Sequence, residues 1–338
     1  MYQQQNLSHI TPVAQQSHSL PLGSHSVAIA CLAIDAGNRY SKIACSNGFR
    51  ATFPSYWMPA DFRATDAIAY RSGNPSLIGE WVIGDNAKFS GCSPVFYSEK
   101  LIEAPYLVFG AIALTLHKYP VSHVSTLKIC LPDSFNKAQN QQLIEAFKGT
   151  HQLSYAGCDF TVKVSSVSIE AEGVSAYKFL RNQGTFKYAK INGILDLGGG
   201  NSNATLFTPN GQPIWQSRLV LPGTLELAKA ISQSADLLGV ESKGNSPRVE
   251  LILDAIESGT FCYGDRNFKP AFEACLKPWL KDIQKKFSTQ WQEWLPNIGE
   301  IAVIGGSQSL AELLVNASGG RVKLAINGQR SNVEGMVL

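Results

Sequence analysis

The sequence predicts an α/β protein made of two similar halves that face each other across a cleft. Three observations carry that reading. An apolar run that ends in an aspartate, turns and returns as a second strand occurs at 28–46 (AIACLAIDAGNRYSKIACS) and again at 193–208 (GILDLGGGNSNATLFT). Each copy leads into further strand and helix patterns. A third strand-to-glycine turn, IAVIGG at 301–306, precedes another helical segment and would close the cleft.

The chain has 338 residues, 44% apolar and 16% charged. That suffices for two domains and for a core that needs neither disulfides nor a metal, and it excludes wholesale disorder. A net charge of +3 argues against direct binding to nucleic acid, which needs clustered basic charge. The seven cysteines include no CxxC pair. They read as small buried hydrophobes in a reducing compartment rather than as disulfides or a zinc site. The longest apolar run, YLVFGAIALTL at 106–116, falls short of the ~20 residues that a membrane helix requires and reads as a buried helix. No Lys or Arg precedes Arg39, so the basic start of a secretory leader is missing. A cytoplasmic protein with no membrane partner is expected.

The elements follow in order. Residues 1–26, rich in Gln, Ser and His, are expected to be a disordered tail. The run 27–35 (VAIACLAID) should be a buried strand, AGN its turn and SKIACS its hairpin partner. Residues 51–92, punctuated by Pro54, Pro59, Gly73, Pro75, Gly79 and Gly84, look like a small insert of short β pieces rather than core. Helical patterns occupy 98–118, a strand 126–131, and a helix about 134–148, capped by Asp133 or Ser134. A strand pair around 152–169 leads into a helix starting near Glu172. After the second acid-tipped hairpin, Asn210-Gly211 signals another tight turn. Helices dominate 223–295, broken by the polar ESKGNSPR at 241–248, and SLAELLVN follows the last glycine turn. The expected organisation is a tail at 1–26, a first domain at 27–190 with the insert at about 51–92, a second domain at 191–320, and a segment at 321–338 returning to the first.

Three turns carry chemistry. In AIDAGNRYSK the strand delivers Asp35 to a solvent-facing turn, Gly37 lets the backbone approach a ligand closely, and successive N–H groups there can cradle an anion. Lys42 on the returning strand adds positive charge beside phosphate oxygens. An ordinary Asp hairpin is the bland alternative. LDLGGGNSN is sharper: Asp196 ends the strand, and Gly198, Gly199 and Gly200 offer backbone donors without side-chain bulk. A triphosphate with Mg2+ needs carboxylates near the metal and many N–H donors near the phosphates, and two such hairpins facing each other supply both. No GxxxxGK[ST] loop occurs, and LGGGN is followed by a strand, unlike a dinucleotide fingerprint. At Gly305-Gly306 a flat ring could lie against the backbone, and Ser307 or Ser309 would cap the next helix, whose dipole favours phosphate.

In this order and separation the three elements resemble the phosphate-1, phosphate-2 and adenosine motifs of the superfamily that includes actin, the heat-shock ATPases and the sugar kinases. They match at 33–46, 194–207 and 301–311. Within that superfamily the chain is most similar to the small bacterial actins of plasmid segregation, the ParM/StbA type. FPSYW at 53–57, WVIGDNAKF at 81–89, CLPDSFNKAQNQQLIEAFKG at 130–149 and SNVEG at 331–335 support the likeness. The resemblance implies an actin-like (ribonuclease H-like) two-domain α/β fold with nucleotide in the interdomain cleft, and an ATP- or GTP-hydrolysing protein that assembles with itself into filaments. It implies that Asp35 and Asp196 hold Mg2+, mostly through its waters. It places Asn38 and Lys42 on the β- and γ-phosphates with Gly37 in the same turn, Gly198 to Gly200 on the other side, and Gly305, Gly306 and Ser307 near the base and α-phosphate. Gly223 falls where the family has a glycine beside the nucleotide. Glu172, with Glu170 as its competitor, matches the residue that orients or deprotonates the attacking water. Bulky Arg39 and Tyr40 stand where the family has small hydroxyl residues and must point away from the phosphates. DNA would be reached through a separate adaptor protein at a centromere-like site. A small-molecule kinase or phosphatase, or a non-hydrolysing nucleotide-binding scaffold, are the alternatives within the superfamily. The kinase reading lacks a cluster of Asp, Asn and His for a sugar pocket in the first half.

Overall fold

A computed structural model describes residues 28–61, 64, 66–95, 100–131, 136–187, 190–237, 239 and 246–338. The expected tail, the Asp133/Ser134 cap and the start of the 241–248 loop lie outside these residues. The first hairpin is β1 (Ala28–Ala36) and β2 (Tyr40–Cys45), paired antiparallel with Asp35 opposite Lys42. There follow β3 (Arg50–Pro54), β4 (Trp57–Pro59), β5 (Ile68–Ser72), β6 (Gly79–Ile83), α1 (Gly84–Phe89) and α2 (Lys100–Lys118). Then come β7 (His123–Leu131), α3 (Lys137–Phe147), β8 (Gly149–Tyr155), β9 (Cys158–Ala171) and α4 (Val174–Asn182). The nine strands form one sheet in the order β3-β2-β1-β7-β9-β8-β5-β6-β4.

The second part contains β10 (Ile191–Asp196), β11 (Asn201–Phe207), β12 (Pro213–Pro222), α5 (Thr224–Ser232) and α6 (Val249–Glu257). A two-residue-arm hairpin, β13 (Cys262–Tyr263) and β14 (Arg266–Asn267), precedes α7 (Lys269–Gln290), β15 (Ile298–Ile304), α8 (Glu312–Ala317), β16 (Val322–Leu324) and α9 (Ser331–Met336). Its five-stranded sheet has the order β12-β11-β10-β15-β16. This repeats β3-β2-β1-β7-β9 strand for strand. In each half the lead strand, β1 or β10, has two successive antiparallel strands on one side and two parallel strands on the other. The repetition read from the two hairpins therefore extends over five strands.

Each sheet has its own core. In the first, α2 presents Leu107, Val108, Phe109, Ala111, Ile112 and Ala113, all completely buried, as expected of a helix apolar around most of its circumference. In the second, α5, α6 and α7 cover the sheet with Leu227, Ile231, Ile252 and Ile283. Between the halves, α4 and α9 lie against each other. From α4, Ala176, Tyr177 and Leu180 pack on Ile194, Phe207 and Ile304 of the second sheet, with Tyr177 stacked on Phe207 at 4.0 Å between ring centroids. From α9, Val333 and Met336 pack on Ala33, Ala44 and Cys130 of the first sheet. Among the described residues no helix is long and apolar enough to cross a membrane.

Four expectations are corrected. Residues 51–92 are not a peripheral insert, because β4, β5 and β6 extend the first sheet and Ile68, Tyr70 and Trp81 belong to its core. Helix α3 starts at Lys137 and is capped by Asn136, whose side chain accepts from Gln139 N at 3.1 Å. Glu172 precedes its helix rather than starting it, with Gly173 as N-cap. All seven cysteines are free, but only Cys45 and Cys130 are buried, while Cys158 and Cys262 are exposed.

Candidate functional site

The repeated topology sets the site. β1 ends on the Asp35-Ala36 step and β10 on Asp196, so each parallel core strand delivers one carboxylate to the same end of its sheet. The turns that follow meet across a cleft lined by Asp35, Gly37, Asn38 and Lys42 from the first hairpin, Asp196, Gly198 and Gly199 from the second, Glu172, and Gly305, Gly306 and Ser307. Of the other predicted residues, Gly200 faces Asn38 across the gap and Gly223 abuts the carbonyls of Gly199 and Gly200. The backbone behind Gly223 holds the glycine turn, since Thr224 N and Leu225 N donate to Gly198 O and Gly199 O at 3.1 and 2.9 Å. Glu170 does not line the cleft; its carboxylate accepts from Ser168 on its own strand.

Charge at the bottom of the cleft is concentrated and one-sided. Lys42 Nζ lies 3.1 Å from Asp35 Oδ2, and Asp35 is only 5% exposed. Burial disfavours the Lys42 ammonium, but Asp35, Asp196 and Glu172 outweigh that cost and hold it above the usual lysine range. Burial, then the neighbouring Glu172 and Asp35, pushes Asp196 up to about 7, against the opposing pull of Lys42 and Asn332. Three carboxylates thus share one ammonium. An excess of hard oxygen donors of that kind fits a divalent cation such as Mg2+. Among the described residues no three His, Cys, Asp or Glu side chains converge as a direct ligand set.

Gly305 must be glycine for two reasons. Its φ of +94° lies in the left-handed region, and a Cβ there would stand 2.6 Å from Asp196 Oδ1. The expected cap after it is not formed. Gln308–Ala311 make one 3-10 turn, Ser307 makes no side-chain cap bond, and α8 begins only at Glu312. Ser307 N instead donates to Leu197 O at 3.3 Å, stitching the third turn to the second.

Sequence reasoning missed the residues that hold these acids. Asn203 Nδ2 donates to Glu172 Oε2 at 2.8 Å. Asn332 Nδ2 donates to Asp196 Oδ2 at 3.0 Å, and Asn332 Oδ1 accepts from Gly173 N at 3.0 Å. Strand register was the available signal for Asn203, which sits opposite Asp196 in the β10–β11 pair; for Asn332, 136 positions from Asp196, no local pattern existed.

Arg39 and Tyr40, expected to point away from the phosphates, line the same cleft, and both bond to acids of the second half. The Arg39 stem lies against Gly199, while Nη2 reaches Asp254 Oδ1 at 2.8 Å and Glu257 Oε2 at 2.9 Å on α6. Tyr40 Oη donates to Glu257 Oε2 at 3.0 Å; burial and that carboxylate push its phenol up to about 12. Lys88 of α1 meets Asp254 Oδ2 at 2.7 Å. Asp254 and Glu257 stand near the C-terminus of α6, where the helix dipole disfavours acids, and the two cations offset that. Together these contacts tie the first hairpin and α1 to the second half.

No family model matches the sequence, and no curated protein is similar to it in sequence. Solved structures are similar in fold. A 15-stranded ParM filament from Clostridium botulinum superposes with a TM-score of 0.75 at 16% identity, covering 92% of this chain and 98% of that one. The archaeal actin homologue Ta0583 gives 0.74 at 15% identity, covering 91% and 98%. Its complex with ADP gives 0.70 at 15% identity over the same shares. The chain has the actin-like two-domain α/β fold.

Proposed function

We propose that this chain is an actin-like nucleoside triphosphatase that takes up Mg-ATP or Mg-GTP, assembles into filaments while the nucleotide is bound and disassembles after hydrolysis, in the service of plasmid or other DNA segregation. One observation carries the reading: two acid-tipped hairpins, one on each sheet, meet around Lys42 with glycine turns on either side. The similarity in fold to a ParM filament and to an actin homologue captured with ADP agrees with it.

In this reading Asp35 and Asp196 hold the water shell of Mg2+, which shields the charge of the phosphates when bound. Lys42 and Asn38 contact the β- and γ-phosphates from the first half, with Gly37 giving them access. Gly198, Gly199 and Gly200, backed by Gly223, supply backbone donors from the second. Gly305, Gly306 and Ser307 flank the base and α-phosphate. Glu172, oriented by Asn203, is the base that positions water and takes its proton. A ligand that touches both walls favours the closed arrangement by its differential affinity alone, and closure aligns the faces of successive subunits for head-to-tail growth. With a net charge of only +3, DNA is engaged through an adaptor protein rather than directly.

The test is sedimentation and negative-stain microscopy of the full chain with Mg-ATP, Mg-GTP or EDTA, alongside phosphate release. Filaments that need Mg-nucleotide and vanish as phosphate accumulates are expected. A chain that binds neither nucleotide, or that turns one over without ever sedimenting, overturns the proposal.

A further inference from the structure

The C-terminal helix α9 is fixed to the first half of the molecule. Arg50 clamps Glu334 with a two-pronged ion pair, Nε to Oε1 and Nη2 to Oε2, both at 2.8 Å. Lys128 Nζ donates to Met336 O at 2.7 Å, and Val333 and Met336 are buried on the first sheet. Gly335 has no Cβ to keep α9 off the backbone of α4 at Ser175, so the two helices touch. From this anchored helix one side chain crosses to the other half. Asn332, 5% exposed, donates to Asp196 Oδ2 at the tip of β10 and accepts from the N–H of Gly173, the residue after Glu172.

We infer that Asn332 is a positioning residue that sets the spacing between Asp196 and the Glu172 turn. The inference rests on the function proposed above, in which those two acids serve metal and water respectively. A carboxamide suits the task because it offers a donor group and an acceptor group on one rigid plane. Its donor fixes one oxygen of Asp196 and leaves the other for the metal's water shell, and its acceptor fixes the backbone beside Glu172. Neither contact reaches the reacting atoms, so Asn332 acts through its two partners. Misplacing such groups by about 1 Å can cost on the order of 100-fold in rate.

Two substitutions separate the arms. Asn332→Asp keeps an acceptor for Gly173 but has no donor for Asp196 and faces it with a second carboxylate; Asn332→Ala removes both arms. The first readout needs no nucleotide: amide hydrogen exchange in the metal-free full chain. Exchange at Gly173 should quicken at least ~10-fold in Asn332→Ala and stay near wild type in Asn332→Asp. The second is turnover of Mg-ATP and Mg-GTP, corrected for folded fraction by thermal melting. Both variants should lose ~10- to 100-fold in kcat with KM for nucleotide changed less than ~3-fold, the pattern of lost positioning rather than lost binding. Unchanged exchange at Gly173 in Asn332→Ala overturns the inference, as does turnover that matches wild type, or that falls only as the folded fraction falls. A wild-type chain that turns over neither nucleotide overturns the function proposed above, and this role with it. A wild type that turns over while both variants match it overturns the role alone.

Discussion

Arg39, in the turn of the first hairpin, and Asp254, near the end of α6, form a 2.8 Å ion pair across the cleft, and Lys88 takes the other oxygen of the same carboxylate. Asp254→Asn leaves Lys88 beside a neutral partner and Arg39 with Glu257 as its remaining carboxylate. It should cost about 1 kcal/mol in urea unfolding, a value kept low because the carboxylate is about a third exposed. Adding Arg39→Ala to it should cost less than Arg39→Ala alone, since both remove the same contact. The difference should shrink between low and high salt. Fully additive costs would show that the pair is incidental.

Glu172→Gln keeps the shape of the side chain and the contact with Asn203 but removes the base that the proposed function requires. Phosphate release should fall ~100- to 10,000-fold with nucleotide affinity nearly unchanged, and filaments should persist after mixing with Mg-nucleotide. Wild-type turnover in this variant would return the role to another residue, Glu170 first.

Asp196 sets a pH dependence whose sign follows from its upward shift. Its carboxyl titrates at about 7 in the folded chain and at about 3.9 when unfolded. Between those values the folded state keeps a proton that the unfolded state has lost, so this group's effect on stability is most favourable in acid and worsens as pH rises towards 7. Metal-free Asp196→Asn should therefore melt higher than wild type at pH 8, with the gap narrowing towards pH 5. Metal must displace that proton, so Mg-nucleotide affinity in wild type should rise by up to about tenfold per pH unit below 7. Calorimetry across pH 5.5–8 would check both; a flat profile contradicts them.

Gly305→Ala forces a side chain into a left-handed backbone and against Asp196. We expect a loss of ~1–2 kcal/mol in stability and at least ~10-fold weaker Mg-nucleotide binding, because the carboxylate must move. Gly306→Ala, where a Cβ would meet only the side chain of Gln329 at 3.5 Å, should do far less. Equal effects from the two would mean that the φ at Gly305 is not what matters.

Asp35 and Asp196 were legible as the acids that end apolar strands, although Asp35, expected in a solvent-facing turn, is 5% exposed and still paired within its strand opposite Lys42. The glycine turns were legible from local pattern as well. Residues 51–92 misled because proline and glycine usually end strands. Pro54 and Pro59 close β3 and β4, and these are the two edge strands of the first sheet, where a missing N–H is tolerated. Nothing in the sequence pointed to Asp254 and Glu257, because Arg39, more than two hundred positions away, meets them only in the folded chain. Asn332 was visible only as part of a family-like SNVEG string. What it holds is set by the packing of α9 on the first sheet, and packing between distant segments leaves no periodicity to read.

In the proposed function neither half owns a complete binding place, because the residues that line the cleft come from both sheets. Grip on a ligand is therefore a gauge of how the two sheets are set relative to each other. Any neighbour that prefers one setting, a second subunit included, must change ligand affinity, and the ligand must change that neighbour's affinity by the same factor.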